Sequence, residues 1–357
     1  MDRQGIIALS EGVLTEITKA INESLYSEIG GTLSLRWSAG TLNAQAQSNS
    51  DLTAEPDHII TIGYDLLLKI YEVIDEYCLF IENKEENDLL AEIFENDPQI
   101  FELIPQGYSP DHVRNNIFLG AITWIYFHEL THLIQEHGVV RPAQKCNNIF
   151  SIITEFDIRA DDVNLIGRES AIYHLTELAA DHGATLMCLY EAIRQAEPAG
   201  HDLENLLQLI VAGVVCVMYQ FNTKKSMSLN DEPMGTHPHP LVRLELTLPI
   251  FQERLYTPNS EERNNFVYKV NQVATSVTIY WLKHIWKYPN LLEYTPFLSG
   301  TVNRPSGSDY LQKLFDVWDE IRPVIKEIRR HGDPSGIDLL NFTEEYRGLV
   351  QQNREQR

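Results

Sequence analysis

The spacing of apolar and polar residues divides the chain into long helical stretches and one short β region. Over residues 6–28 the apolar side chains recur at helical spacing, with Ile7, Leu9, Leu14, Ile17, Ile21 and Leu25 broadly on one side. After Gly30 and Gly31 the period falls to two: Leu33, Leu35 and Trp37 project one way, Ser34 and Arg36 the other. A Ser-Ala-Gly turn then leads into Leu42–Ala46, and the pair of segments predicts a β-hairpin. The run His58–Tyr64 predicts a third strand, followed by a helix from about Asp65 to Glu82. Residues 84–108 are acidic and irregular, which predicts short helices and a surface loop.

The next helix opens on Ser109 as N-cap with Pro110 in its first turn, and runs through an apolar stretch, Ile117–Phe127, into His128-Glu129-Leu130-Thr131-His132. Gly138 is the expected stop, giving a helix of about 110–137. Residues 138–168 have no clear period, and further helices are predicted near 169–194, 202–221, 261–287, 308–330 and 336–354. A polar loop, Thr236-His237-Pro238-His239-Pro240, separates the second and third of these. The pattern predicts an α+β, mainly α protein with a small antiparallel sheet near the N-terminus. Its expected organisation is one domain over 1–255 and a helical C-terminal extension over 256–357.

Composition narrows the partners. The formal charge of −23 argues against a nucleic-acid or anionic-membrane surface, since either would repel the chain. No stretch at the N-terminus resembles a signal peptide, and the most hydrophobic run, Leu206–Phe221, is short for a membrane span, so a buried core helix and no membrane span are expected. The four cysteines, Cys78, Cys146, Cys188 and Cys216, form no CxxC pair and are expected as free buried thiols in a reducing cytoplasm.

The chemistry concentrates in three segments. His128 and His132 are four residues apart, and with ~3.6 residues per turn both rings leave one helix face and can meet a single metal ion. Neutral imidazoles and an open fourth position suit Zn2+, which would acidify a bound water and polarise a carbonyl, while Glu129 takes the proton as catalytic base. A third ligand is expected at Glu177, with Asp181 one turn on to fix a ligand imidazole. Taken alone, Glu177 and Asp181 read as a solvated acidic face; beside the two histidines they read as a metal site. Asp157 and Asp161 form a rival pair of the same shape, but the first acid reaches less far. Thr236-His237-Pro238, with Arg243 six residues after the histidine, offers His237 or His239 as a donor to a developing oxyanion. By chemistry alone that segment is a surface turn. His137 falls near the end of the metal-binding helix, where a helix C-terminus favours a dipolar or positive ring; His174 and His182 flank Glu177.

Together these segments resemble a known family. Ile117–Ile125 with His128-Glu129-Leu130-Thr131-His132 and His137 resembles the zinc helix of the phage exclusion protein Lit family, Glu177–Thr185 its Glu-x-x-Ala-Asp helix, and Thr236-His237-Pro238 with Arg243 its Thr-His-Pro…Arg segment. The likeness covers about residues 30–250; the stretch between His132 and Glu177 looks longer here, and the C-terminal hundred residues have no counterpart. The resemblance implies a zincin-like metallopeptidase with His128, His132 and Glu177 as zinc ligands, Glu129 as base and His237 in the active site, Asp181 and Arg243 standing behind them. It also implies a sheet edge that pairs with an extended protein substrate. In that family the substrate is elongation factor Tu and a phage-encoded activator peptide triggers cleavage, which arrests translation in the infected cell.

Overall fold

The β region is where sequence pattern and tertiary structure part. In the computed structural model β1 (Thr32–Ser38), β2 (Ala44–Ser48), β3 (Asp57–Gly63) and β4 (Ser151–Thr154) form one sheet in the order β1-β3-β2-β4. β1 runs parallel to β3, with Leu35 opposite Ile60, and β2 runs antiparallel to β3, with Ala46 opposite Ile60. The expected hairpin and purely antiparallel sheet are therefore wrong: the sheet is mixed, and β3 inserts between β1 and β2. The reason is burial. Ile59, Ile60 and Ile62 are all buried, so β3 takes a central place with a neighbour on each side, whereas β1 alternates and suits an edge. The linker from β1 to β2 then crosses the end of β3, where a Cβ on Gly63 would stand 1.9 Å from the Thr41 carbonyl oxygen. Only glycine lets that crossing close, and the Gly63 amide donates to Asn43 O at 2.9 Å.

The described residues are 1–94, 103–105, 107–141, 151–154, 165–200, 202–222, 228–256, 260–288 and 300–356. Cys146 and the rival pair Asp157 and Asp161 lie outside them.

Helices make up most of the remainder. They are α1 (Arg3–Ile21), α2 (Ser27–Ile29), α3 (Tyr64–Glu82), α4 (Lys84–Ile93), α5 (Pro110–Ile134), α6 (His137–Val140), α7 (Arg168–Ala199), α8 (Leu203–Gln220), α9 (Pro240–Glu253), α10 (Glu261–Tyr280), α11 (Pro305–Ile328) and α12 (Glu344–Glu355). Ser109 caps α5 through a bond from the His112 amide, as its sequence position suggests. The sequence pattern does not predict α9. His239 caps it and Pro240 opens it, a start signal hidden in what reads as a polar loop.

Two apolar cores meet at α7. The larger one gathers α3, α5, α8 and α10 with the inner face of the sheet, and takes Ala184, Cys188 and Leu189 from α7. The second lies against the start of α7, where Ala171, Leu175 and Leu178 pack on Leu311, Phe315 and Trp318 of α11 and on Val350 of α12. α5 and α8 are long and apolar enough to cross a membrane, with mean hydropathy 1.3 and 1.5, yet 89% and 78% of those stretches are buried inside the protein. Such burial is that of core helices. Cys78, Cys188 and Cys216 are free and buried, as expected, and burial raises all three thiols, Cys78 to about 12.

Candidate metal centre

α5 and α7 carry the chemistry because they pack face to face. Gly183 makes the close approach possible: a Cβ there would lie 2.5 Å from Thr131 Cγ2. Just before it, α7 presents Glu177 and Asp181, one turn apart, toward His128 and His132 of α5, and all four side chains are buried.

His128 Nε2 and His132 Nε2 stand 3.0 Å apart, and Glu177 reaches them at 3.3 Å through Oε2 and 3.5 Å through Oε1. One ligand atom from each of the three residues lies within 4.8 Å of the others, so the group could hold a metal ion. Behind the rings, His128 Nδ1 lies 3.0 Å from Asp181 Oδ1, and Arg243 grips both oxygens of that carboxylate at 2.8 and 2.6 Å. His132 Nδ1 faces His137 Nδ1 at 2.8 Å, and His137 Nε2 faces Gln135 Oε1 at 3.0 Å.

Burial, followed by neighbouring His132 and Arg141, holds His137 well below the usual histidine range, so its ring is neutral. With its Nε2–H donating to Gln135, His137 accepts at Nδ1, and His132 must donate from its own Nδ1. Asp181 Oδ1 lies 3.0 Å from His128 Nδ1, on the side of that ring away from Glu177. The Nε2 atoms of both histidines face each other at 3.0 Å and the Glu177 carboxylate at 3.3 and 3.5 Å. Burial alone would raise the Glu177 carboxyl, but His237, Arg141 and His132 outweigh it and hold the group well below the usual carboxylate range. Three potential ligand atoms converge in this buried space, where one cation could join them. Two imidazole nitrogens and one carboxylate oxygen are a donor set that suits Zn2+.

Glu129 is fully buried, and helical geometry sets its direction about 60° from that of His132, on the flank of the ligand face. His237 comes from the loop before α9; its Nε2 lies 3.8 Å from Glu177 Oε2, and its Nδ1 lies 2.8 Å from Thr236 Oγ1. His239 instead accepts the Leu241 amide at 3.2 Å as the cap of α9. His174 turns to the second core, 2.7 Å from the Tyr310 hydroxyl of α11.

Two features of the site were not legible. Arg141, buried after α6, donates to Glu177 Oε1 at 2.5 Å and to Thr176 Oγ1 at 2.8 Å, with its guanidinium 5.0 Å from the centre of the Tyr173 ring. No spacing rule marks it, since it belongs to neither motif. The other is the end of α5. Gly138, the expected stop, lies inside α6; α5 ends at Ile134, and the break falls at Glu136, a non-glycine residue in the left-handed region with φ 53°. That turn folds His137 back onto His132.

Neither a curated protein nor a solved structure matches the chain. The model of the family described as Peptidase U49 matches residues 41–260, which include every side chain of the centre described above. The match spans more than half of the 357 residues, and the chain belongs to the Peptidase U49 family, a family of peptidases.

Proposed function

We propose that the protein is a zinc-dependent endopeptidase that cuts a specific intracellular protein, with elongation factor Tu as the first candidate substrate. The observation that carries this reading is the convergence of two imidazole nitrogens and a buried carboxylate held well below its usual range, from two packed helices. Zinc held there would polarise the scissile carbonyl and make an attacking water acidic enough to react near neutral pH.

The protein's own groups do the rest. Glu129 accepts the proton of the attacking water and delivers it to the leaving amine. Asp181, forked by Arg243, lies 3.0 Å behind His128 and orients its ring. His137 does the same for His132. His237, with Nδ1 2.8 Å from Thr236 Oγ1 and Nε2 3.8 Å from Glu177 Oε2, donates from Nε2 to the oxyanion that develops on the carbonyl in this reading. Residues resembling the phage exclusion family suggest an abortive-infection effector, acting in the cytoplasm and triggered by a phage-encoded peptide.

Expression of the wild type and of Glu129→Gln in a bacterium, with and without phage infection, tests this reading. New protein N-termini are expected in the wild type alone, with elongation factor Tu examined first. Identical sets of N-termini under both conditions would contradict it and leave a zinc-binding sensor that cuts nothing.

A further inference from the structure

We infer that Arg330, far outside the family-matched segment, is a positioning residue for the metal centre: it clamps the turn that holds His137 against His132. The inference rests on the metallopeptidase reading and adds a role for the C-terminal extension.

The turn needs holding. His137 follows His132 by five residues, so in a continuous helix its ring would point about 140° away from that of His132. The left-handed Glu136 brings it back to 2.8 Å, a conformation that few non-glycine residues adopt unaided. The break also strips the end of α5 of its next helical turn and so leaves carbonyls to be satisfied.

Arg330 answers each need. Its backbone amide donates to Ile134 O at 2.8 Å and so caps the metal helix. Its Nε donates to the Glu136 carboxylate. Its two terminal nitrogens reach the carbonyls of Asp51 at 2.7 Å, Leu52 at 3.1 Å and Ala54 at 2.9 Å, in the loop between β2 and β3. One guanidinium thus ties the C-terminal extension, the metal helix and the sheet together. Both members of the ion pair are nearly buried, with side chains 9% and 3% exposed. On the other side of Glu136, His58 Nε2 lies 4.0 Å away, but burial and then Arg330 itself push that ring down to about 3. His58 is neutral, and the positive charge that stabilises buried Glu136 comes from Arg330. The strap is itself braced, since Arg329 Nη1 binds both oxygens of Asp338 at 2.8 Å.

The test is a mutant cycle on the full-length, zinc-loaded protein, reading the rate at which zinc passes to an excess of chromogenic chelator. Arg330→Met and His137→Ala are each expected to speed release about 10–100-fold, the usual effect of removing a group that orients a ligand. The double variant is expected to release zinc no faster than His137→Ala alone, because both changes break one chain of contacts. Loss of folding stability through some other route would not produce that non-additivity. Should Arg330→Met fail to fold, Arg330→Lys keeps the charge but not the fork across three carbonyls, and takes its place in the cycle. Unchanged release in the Arg330 variant, or effects that add in the double, would overturn the inference. A wild type that takes up no zinc would instead overturn the metallopeptidase reading, a distinct result.

Discussion

Glu129→Gln is expected to lower peptide hydrolysis by about 10²–10⁴-fold while leaving the metal in place. The side chain is fully buried on the flank of the ligand face, one residue after His128, and is not among the three converging ligands. Gln has nearly the same shape, so the helix keeps its packing and the ligands keep their directions. What disappears is the group that accepts a proton from the attacking water. Metal content and hydrolysis of a matched substrate should be measured on the same preparation. Lost metal would make Glu129 a structural residue; retained activity would place the base elsewhere.

The second large effect concerns the pair behind His128. Arg243 and Asp181 are 2% and 1% exposed, and the arginine forks the carboxylate with two bonds. Arg243→Met leaves Asp181 as a buried charge with its main counter-ion removed, which costs about 3–5 kcal/mol of folding stability. Denaturant unfolding of the wild type and the variant would show this as a fall in midpoint. The Arg243→Met, Asp181→Leu double variant should recover part of the loss, because no unmatched charge remains. It should not recover metal affinity, because His128 still lacks the carboxylate that stands behind its ring. A double variant that binds metal like the wild type would show that the pair serves stability alone.

Helix periodicity and i,i+4 spacing are local, and they brought α5, α7 and the residues His128, His132, Glu177 and Asp181 within reach. Spacing along a strand says which side chains share a face but not which strand lies beside which. The insertion of β3 between β1 and β2 follows from the burial of Ile59, Ile60 and Ile62 on a central strand. β4, four residues long, gave no readable period. α9 was missed because a Pro-x-Pro stretch reads as a turn, although Pro240 with a preceding cap is a helix start.

Arg141 and Arg330 are a different kind of miss. Each has a long side chain that meets a carboxylate 36 or 194 residues away, and nothing in its own neighbourhood marks it. The left-handed Glu136 is similar: a glycine two residues later carries the usual stop signal, but the turn is decided by what Arg330 offers to it. Local pattern therefore marked the residues that converge, together with Asp181 and Arg243 behind them, while Arg141, Arg330 and the turn at Glu136 became visible only once the chain was folded.

The account stands on His128, His132 and Glu177 binding one ion together. The most direct measurement is the metal content and X-ray absorption spectrum of the purified protein, compared with His132→Ala and Glu177→Ala. One zinc per chain is expected in the wild type, with two nitrogens and one oxygen supplied by side chains, and each variant should lose it or show an altered shell. A wild type without stoichiometric metal, or a Glu177→Ala protein whose zinc is bound as tightly and in the same shell, would contradict the account.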